Sequence, residues 1–186
     1  PVLMKMVYAI HENKVYLGEV DGLIGDGVHG MNMNKGFMLF GKQYGEEAFT
    51  FAEGLSNLGN ILFSQIGGSM GPIYGTIFMD SADEGMDLEE ITVKDLANML
   101  ATGLAGLQEI VEAQVGDKTL VDTLSPAVDS LKESAEAGTD FPEALEKMKA
   151  AAKKGMESTK DMVAKFGRSS RLGERSRGVL DAGSVS

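Results

Sequence analysis

The 186-residue sequence contains no cysteine and no tryptophan, and only two histidines. The lack of cysteine excludes disulfides, thiolate nucleophiles and zinc–thiolate sites. No run of eighteen or more apolar residues occurs, so we expect no membrane-spanning segment. Basic residues are few as well: 17 Lys and Arg stand against 28 Asp and Glu, for a net charge of −11. This balance argues against nucleic acid or an anionic membrane as a partner, and we expect a soluble, cytoplasmic protein.

The pattern of apolar residues is helical along most of the chain. The segment Leu96–Ala113 has apolar residues at helical spacing, and Thr92 with Asp95 gives a capping signal just before it. A further helix is expected from Pro142, at a first-turn position, to Gly167. No segment shows sustained strand alternation. The sequence therefore predicts a single domain of about seven helices joined by short loops, as a bundle or a helical barrel.

Glycine-rich polar clusters separate the predicted helices. There are four of them: Asp21–Asn34, Gly67–Pro72, Gly116–Thr119 and Phe166–Gly183. The last is far longer than a helix connection requires. Because loops on a rigid scaffold commonly carry function, four such loops at one end of a barrel would converge on one ligand.

The first cluster offers a cation site. Asp21 and Asp26 are five residues apart with Gly22 and Gly25 between them, so a turn can fold both carboxylates onto one cation. Carboxylate oxygens suit Mg²⁺ or Ca²⁺, and Mg²⁺ usually completes its coordination with water and substrate phosphates. The alternative is an ordinary solvated acidic turn, which the same residues would also form.

Two other clusters contain groups that bind phosphate. GGSMGP (Gly67–Pro72) allows close backbone approach before a helix start, where free N–H groups bind anions. It matches neither the Walker pattern nor the dinucleotide fingerprint. The last cluster contains four arginines, which pair with phosphate in a bidentate geometry or simply form a solvated basic loop: Arg168, Arg171, Arg175 and Arg177. No Ser-His-Asp arrangement is indicated, because the only histidines are His11 and His29.

Four blocks, in order along nearly the whole chain, resemble the signatures of the L subunit of dihydroxyacetone kinase: DGLIGDGVHGMNMNKGF, GGSMGPIYG, VGDKTLVDTLSPA and GRSSRLGERSRGVLDAG. The resemblance implies an all-α fold, a barrel of about eight antiparallel amphipathic helices with the nucleotide site at one end. Residues 1–186 would form this single domain. The resemblance also implies that the chain is trimmed at both ends, with a first helix that begins late and a last helix after Gly183 that is missing or cut short.

The resemblance further implies a function. In that family the L subunit holds ADP or ATP with two Mg²⁺ ions, and a partner K subunit holds the hydroxyketone on its own histidine. In one branch a phosphohistidine on a third, phosphotransferase subunit rephosphorylates the bound ADP; in the other branch ATP is exchanged. This chain would then be the phosphoryl-donor subunit. The alternative is a non-catalytic, nucleotide-dependent regulatory protein that binds a partner protein.

The resemblance assigns roles to individual residues. Asp21 and Asp26 would bind the metal, and Arg168 would bind phosphate and act in catalysis. The other nucleotide contacts would be His29, Asn32, Ser69, Met70, Leu120, Asp181, Ala182 and Gly183. The family usually has a serine at Met70, and the loop 181–183 is usually Asp-Pro-Gly.

Val28 departs from the family pattern Gly-Asp-x-Asp-His, because it stands where a third metal aspartate is expected. An isopropyl group cannot coordinate a cation. We expect weaker binding of at least one metal ion, by an order of magnitude or more, since losing even groups that only support the ligands costs roughly 10–100-fold. Val28 and Met70 are the features that favour the regulatory alternative.

Overall fold

The computed structural model describes all residues from Pro1 to Ser186, and its regular structure is entirely helical. The helices are α1 (Val2–Ile24), α2 (His29–Tyr44), α3 (Phe51–Gln65), α4 (Met70–Gly85), α5 (Val93–Ile110), α6 (Val121–Glu136), α7 (Phe141–Ser158) and α8 (Ala182–Val185). Two 3₁₀ helices lie between α7 and α8, at Thr159–Asp161 and Arg168–Ser176. The predicted all-α fold is confirmed. None of these helices has the length and apolar character needed to cross a membrane.

Reciprocal caps define the starts of two helices. Thr92 Oγ1 accepts from the Asp95 N–H at 3.1 Å, and Asp95 Oδ2 accepts from the Thr92 N–H at 2.9 Å. Thr50 and Glu53 form the same arrangement at the start of α3. Each pair satisfies two N–H groups that a helix start would otherwise leave free. The capping signal predicted at Thr92 is therefore confirmed.

The start of α7 agrees with the sequence, but its end does not. Asp140 caps the helix and Pro142 lies in its first turn, as expected. The helix stops at Ser158, so the predicted continuation to Gly167 is wrong. The reason is a tertiary contact: the Lys118 ammonium donates to the carbonyl oxygen of Thr159, and the chain tightens there into a 3₁₀ turn. Local helix propensity does not register such a contact.

The helices form a ring in chain order. Each of α1 to α6 packs against the next, α7 packs against α6, and the short α8 contacts α1, α6 and α7. Short connections make consecutive helices antiparallel. The result is the predicted helical barrel, with α8 completing the wall between α6 and α1.

The main core lies between α1 and α5. It contains sixteen buried residues, among them Phe40, Leu58 and Met99, none of which has any exposed surface. Helices α1 and α2 approach very closely, because a Cβ at Gly30 would collide with the carbonyl oxygen of Lys14. Only glycine fits at this crossing. The close contact fixes the position of His29, the residue at which α2 begins.

The topology brings the four polar clusters to one end of the barrel. Helices α1, α3, α5 and α7 end there, and α2, α4 and α6 begin there. The connections between these helices contain the first three clusters, and the segment from Phe166 to Gly183 follows α7 at the same end. We call this the polar end.

Candidate functional site

The two predicted metal ligands lie on either side of the first turn at the polar end. Asp21 is in the last turn of α1, not on the turn itself, and Asp26 lies in the connection to α2. Asp21 Oδ2 accepts from the His29 N–H at 3.1 Å, so this carboxylate caps the start of α2. A Cβ at Gly25 would collide with Asp21 Oδ1. Glycine at this position therefore allows the turn to pass directly beside the carboxylate.

Val28 occupies the N-cap position of α2 and is 43% exposed. No group of three or more His, Cys, Asp or Glu side chains lies close enough together to hold a metal ion. The carboxylate donors at this turn are therefore Asp21 and Asp26. Such a pair fits one Mg²⁺ ion that takes its remaining ligands from water and phosphate oxygens. It does not fit two ions that share a third carboxylate.

Arg168 contacts one carboxylate of this pair, that of Asp26. Its Nη1 lies 2.8 Å from Asp26 Oδ2, while the side chain remains 71% exposed. An exposed ion pair of this kind contributes at most about 1 kcal/mol, so the guanidinium can exchange one anionic partner for another. The pair borders an open groove of about 380 Å³ whose lining is Leu23, Ile24, Gly25, Asp26, Arg168, Arg171 and Leu172.

The other arginines of the last cluster have different environments. Arg177 pairs with Glu174 at 3.0 Å and donates to the carbonyl oxygen of Asp161, so it serves the structure of its own loop. Arg171 lines the groove beside Arg168, and neither Arg171 nor Arg175 has a carboxylate partner. A loop that only balances acidic neighbours would pair its cations. Here two remain available to an external anion.

His29 is the first residue of α2 and is almost fully buried. Its Nε2 lies 3.0 Å from Ser186 Oγ, and its ring meets Tyr74 edge-on with centroids 6.2 Å apart. Burial lowers the pKa of His29 below its ordinary value, although the charges of Asp21 and Asp26 oppose this. His29 is therefore a neutral hydrogen-bonding group at neutral pH. Asn32 lies one turn further along α2, half-buried.

The glycine loop before α4 is open. The backbone N–H groups of Gly67, Gly68 and Ser69 have no acceptor within the protein. No atom lies within 4 Å of the position that a side chain would take at Gly67 or Gly68. Ser69 is the exposed N-cap of α4 and its hydroxyl makes no capping bond. Met70 is half-buried against the main core.

The N-cap and first turn of α8 lie against the start of α6. A Cβ at Gly183 would be 3.6 Å from the Leu120 nitrogen, in ordinary contact. Asp181 Oδ2 accepts from the Ser184 N–H at 2.9 Å, which caps α8. Burial raises the pKa of Asp181 to about 6, against the opposing effects of the Ser184 hydrogen bond and the Lys118 charge. The structure thus brings together Leu120, Asp181, Ala182 and Gly183.

Several residues that organise this region were not singled out from the sequence. Lys118 and Asp122 are 1% exposed and Thr159 is completely buried, and each makes hydrogen bonds at the polar end. Tyr74 is buried too, and its hydroxyl contacts Ser186 Oγ. The only feature of the sequence that could have indicated them is Lys118 itself, a lysine in a glycine-containing turn between two amphipathic helices. Lysine is almost never fully buried without a partner, but burial is not visible in the sequence.

Known proteins resemble this chain along most of its length. The family described as "DAK2 domain" matches residues 23–186. The chain is 37% identical over 174 residues to the "PEP-dependent dihydroxyacetone kinase, ADP-binding subunit DhaL" of Escherichia coli (strain K12), which covers 92% of this chain and 82% of that protein. It is 36% identical over 187 residues to the "PTS-dependent dihydroxyacetone kinase, ADP-binding subunit DhaL" of Lactococcus lactis, which covers 95% and 84%.

Solved structures share the fold. The dihydroxyacetone kinase of C. freundii in its native form superposes with a TM-score of 0.76 at 22% identity, over 98% of this chain and 31% of that chain. The same enzyme in complex with AMP-PNP and Mg²⁺ gives a TM-score of 0.75 over 96% of this chain and 30% of that one. The chain therefore spans about a third of these larger kinases. It belongs to the DAK2 domain family, alongside the ADP-binding subunits of bacterial dihydroxyacetone kinases.

Proposed function

We propose that this chain is the phosphoryl-donor subunit of a dihydroxyacetone-type kinase. It holds ADP or ATP with Mg²⁺ and presents the phosphoryl group to a short hydroxyketone on a partner K-type subunit. The observation that carries the proposal is the convergence at the polar end of a carboxylate pair, an exposed arginine and a loop of free N–H groups. The names of the relatives, which are ADP-binding subunits, support the same assignment.

The metal position is assigned to Asp21 and Asp26. Their carboxylate oxygens fit one Mg²⁺ ion, and that ion would supply positive charge beside the phosphate oxygens. The family resemblance implies two ions, but Val28 removes the carboxylate that they would share. We therefore propose one ion held by both aspartates, with a second ion held mainly by the nucleotide itself.

The nucleotide position is assigned to the surrounding groups. The free N–H groups of Gly67–Ser69 at the start of α4 suit the phosphates, because unpaired amides at a helix start attract anions. Arg168 would neutralise the terminal phosphates, and neutral His29 and Asn32 would supply hydrogen bonds. Leu120, with the segment Asp181–Gly183, forms a partly apolar wall suited to the base.

The chemistry assigned to this chain is alignment and charge neutralisation. The polar end offers no activated nucleophile: there is no cysteine, and its one histidine is buried with Nε2 hydrogen-bonded to Ser186 Oγ. Phosphoryl transfer needs little covalent participation from the protein that holds the donor. A positioned guanidinium beside the transferring group would stabilise the transition state as a fixed charge. The acceptor must then come from another chain, which accounts for the partner subunit.

Two measurements test this function. Calorimetry with Mg-ADP should show binding, and the melting temperature should rise because the ligand binds only the folded state. A coupled assay with a K-type partner, comparing ATP with a phosphohistidine-bearing subunit as donor, should then show phosphorylation of a C3 or C4 ketose. If millimolar Mg-ADP produces no binding heat and no shift in melting temperature, nucleotide binding is refuted.

A second candidate function is a non-catalytic regulator that binds a partner protein in a nucleotide-dependent way. The observation in its favour is Val28, an exposed apolar side chain at the metal turn. Nucleotide binding without turnover in the coupled assay, with either donor, would favour the regulator over the kinase subunit.

A further inference from the structure

Lys118 is an unusual residue at the polar end. Its side chain is 1% exposed, and its backbone has a φ of 63°, which places a non-glycine residue in the left-handed region. Burying an ammonium group is unfavourable unless hydrogen bonds satisfy it, and this backbone conformation adds further cost. Because both the burial and the backbone conformation of Lys118 are unfavourable, other interactions of this residue must compensate for them.

The ammonium of Lys118 joins two separate parts of the chain. It donates to the carbonyl oxygen of Thr159, at 2.5 Å, and to that of Val179. Thr159 follows directly after α7, and Val179 leads into the segment Asp181–Gly183. The lysine therefore fastens this segment to the barrel from the inside.

The turn that contains Lys118 is itself fixed by Asp122. One carboxylate oxygen of Asp122 accepts from the Gly116 N–H at 2.6 Å, and the other accepts from the Thr119 N–H at 2.8 Å. Asp122 lies in the first turn of α6, where the helix dipole favours a negative charge. Asp122 thus fixes the turn to α6, and the fixed turn sets the position of the Lys118 side chain.

A second set of hydrogen bonds holds the same segment. The Asp181 N–H donates to Thr159 Oγ1 at 3.1 Å, and Ser184 Oγ donates to the Thr119 carbonyl oxygen at 2.5 Å. Thr123 Oγ1 also donates to the Ser184 carbonyl oxygen, at 2.8 Å. These bonds bring Gly183 beside Leu120, since a Cβ added at Gly183 would lie 3.6 Å from the Leu120 nitrogen.

We infer that Lys118 is a positioning residue for the nucleotide: through Val179 and Thr159 it holds Asp181–Gly183 against Leu120, and so keeps this wall of the site closed on the bound ligand. The inference rests on the proposed function. Lys118 is buried beneath the wall, and the bonds above give it a role in positioning the wall rather than in contacting the ligand. Loss of its bonds should therefore allow the nucleotide to escape faster, while phosphoryl transfer from the bound nucleotide changes little.

The test uses Lys118→Met, whose unbranched side chain is only one atom shorter and lacks all three N–H donors. Stopped-flow release of a fluorescent N-methylanthraniloyl ADP, with Mg²⁺ present, should be at least tenfold faster than in the wild type. Hydrogen exchange without nucleotide should also be at least tenfold faster at the N–H groups of Asp181 and Ser184. The KM for ATP should rise at least tenfold in the coupled assay while kcat stays within about threefold.

Thr159→Val provides an independent variant. It preserves shape and removes the acceptor of the Asp181 N–H, so it loosens the same segment without burying or deleting a charge. We expect faster ADP release here too, by about fivefold. This variant decides the question if Lys118→Met does not fold.

Thr92→Ala is the matched control for stability. It removes the cap of α5 at the opposite end of the barrel, so it should lower the melting temperature by a few degrees and leave ADP release within twofold of the wild type. If Lys118→Met and Thr159→Val lower the melting temperature but also leave ADP release unchanged, Lys118 is only structural and the inference is wrong. If the wild type itself does not bind Mg-ADP, the proposed function fails first, and the hydrogen-exchange result still reports whether Lys118 fastens the segment.

Discussion

The guanidinium of Arg168 lies 2.8 Å from the Asp26 carboxylate, across 142 residues of sequence. One group belongs to the 3₁₀ helix after α7, and the other belongs to the turn between α1 and α2. The pair brings the proposed phosphate ligand to the proposed metal ligand. Because the ion pair is exposed and weak, a bound nucleotide with its cation can separate the two charges at little cost.

This relationship predicts the effect of Arg168→Ala. If the guanidinium stabilises charge that develops in the transition state, kcat should fall about 10²–10³-fold, whereas ADP affinity should fall less than tenfold. Steady-state kinetics with the partner subunit and calorimetry with Mg-ADP measure the two quantities. Arg171→Ala is the matched control, since Arg171 lines the same groove without touching Asp26. Equal losses of kcat and affinity in Arg168→Ala would make Arg168 an ordinary binding residue.

Much of the fold was predictable, because local signals were sufficient for it. Apolar residues at helical spacing predicted α5, and Thr92 with Asp95 predicted its start. The end of α7 was not predictable in the same way, since Lys118, 41 residues earlier in the chain, takes the carbonyl oxygen of Thr159. Such a contact exists only after folding. Local patterns therefore predict where helices begin more reliably than where tertiary contacts stop them.

In the candidate site, too, local patterns were predictable and tertiary contacts were not. Residue types and spacing indicate Asp21 and Asp26 as a carboxylate pair, whose metal role stays a prediction, and the polar loops between helices predicted that the four clusters would meet at one end of the barrel. The direct contact between Arg168 and Asp26 was not predictable, because it depends on how the segment after α7 folds back over the turn. The buried lysine was missed for a related reason: an ammonium group in a polar loop is normally solvated.

Close packing of α1 on α2 predicts that Gly30→Ala is destabilising. The new methyl group would collide with the Lys14 carbonyl oxygen, so the two helices would have to separate. We expect a loss of about 3 kcal/mol in the free energy of unfolding, measured by urea denaturation. Gly67→Ala is the control, because no atom lies within 4 Å of its new methyl group, and its change should stay within about 0.5 kcal/mol. Similar values for both variants would contradict the close approach.

The raised pKa of Asp181 predicts a pH-dependent stability. Burial raises this pKa from 3.8 to about 6. Between these two pH values Asp181 is protonated in the folded protein but ionised in the unfolded chain. The contribution of protonated Asp181 to the free energy of unfolding is fully present below pH 3.8 and is lost as pH rises through about 6. Asp181→Asn cannot titrate and should lack this loss. Relative to Asp181→Asn, the wild type should therefore lose roughly 2 kcal/mol of unfolding free energy between pH 4 and pH 6.5. Parallel stability curves for the two proteins would contradict the raised pKa.

Val28 provides the most direct test of the metal turn. It is the exposed N-cap residue of α2, two residues after Asp26 and seven after Asp21, so aspartate at this position needs no rearrangement of the core. Without a cation, the added charge is repelled by Asp21 and Asp26, and the α2 dipole offsets only part of that repulsion. Val28→Asp should then melt slightly below the wild type.

With Mg-ADP, Val28→Asp should instead melt above the wild type, because the Mg²⁺ ion neutralises the carboxylates and the new aspartate can join the ligands of the ion. A tenfold gain in ligand affinity adds about 1.4 kcal/mol, so the gap between the metal-free and Mg-ADP melting temperatures should widen by about 3–5 °C. Met38→Asp is the matched control, since Met38 lies on the same helix with the same 43% exposure and far from the turn. Its charge should lower both melting temperatures equally. If Val28→Asp behaves like Met38→Asp, the turn between α1 and α2 does not bind the cation, and Asp21 and Asp26 lose their proposed role.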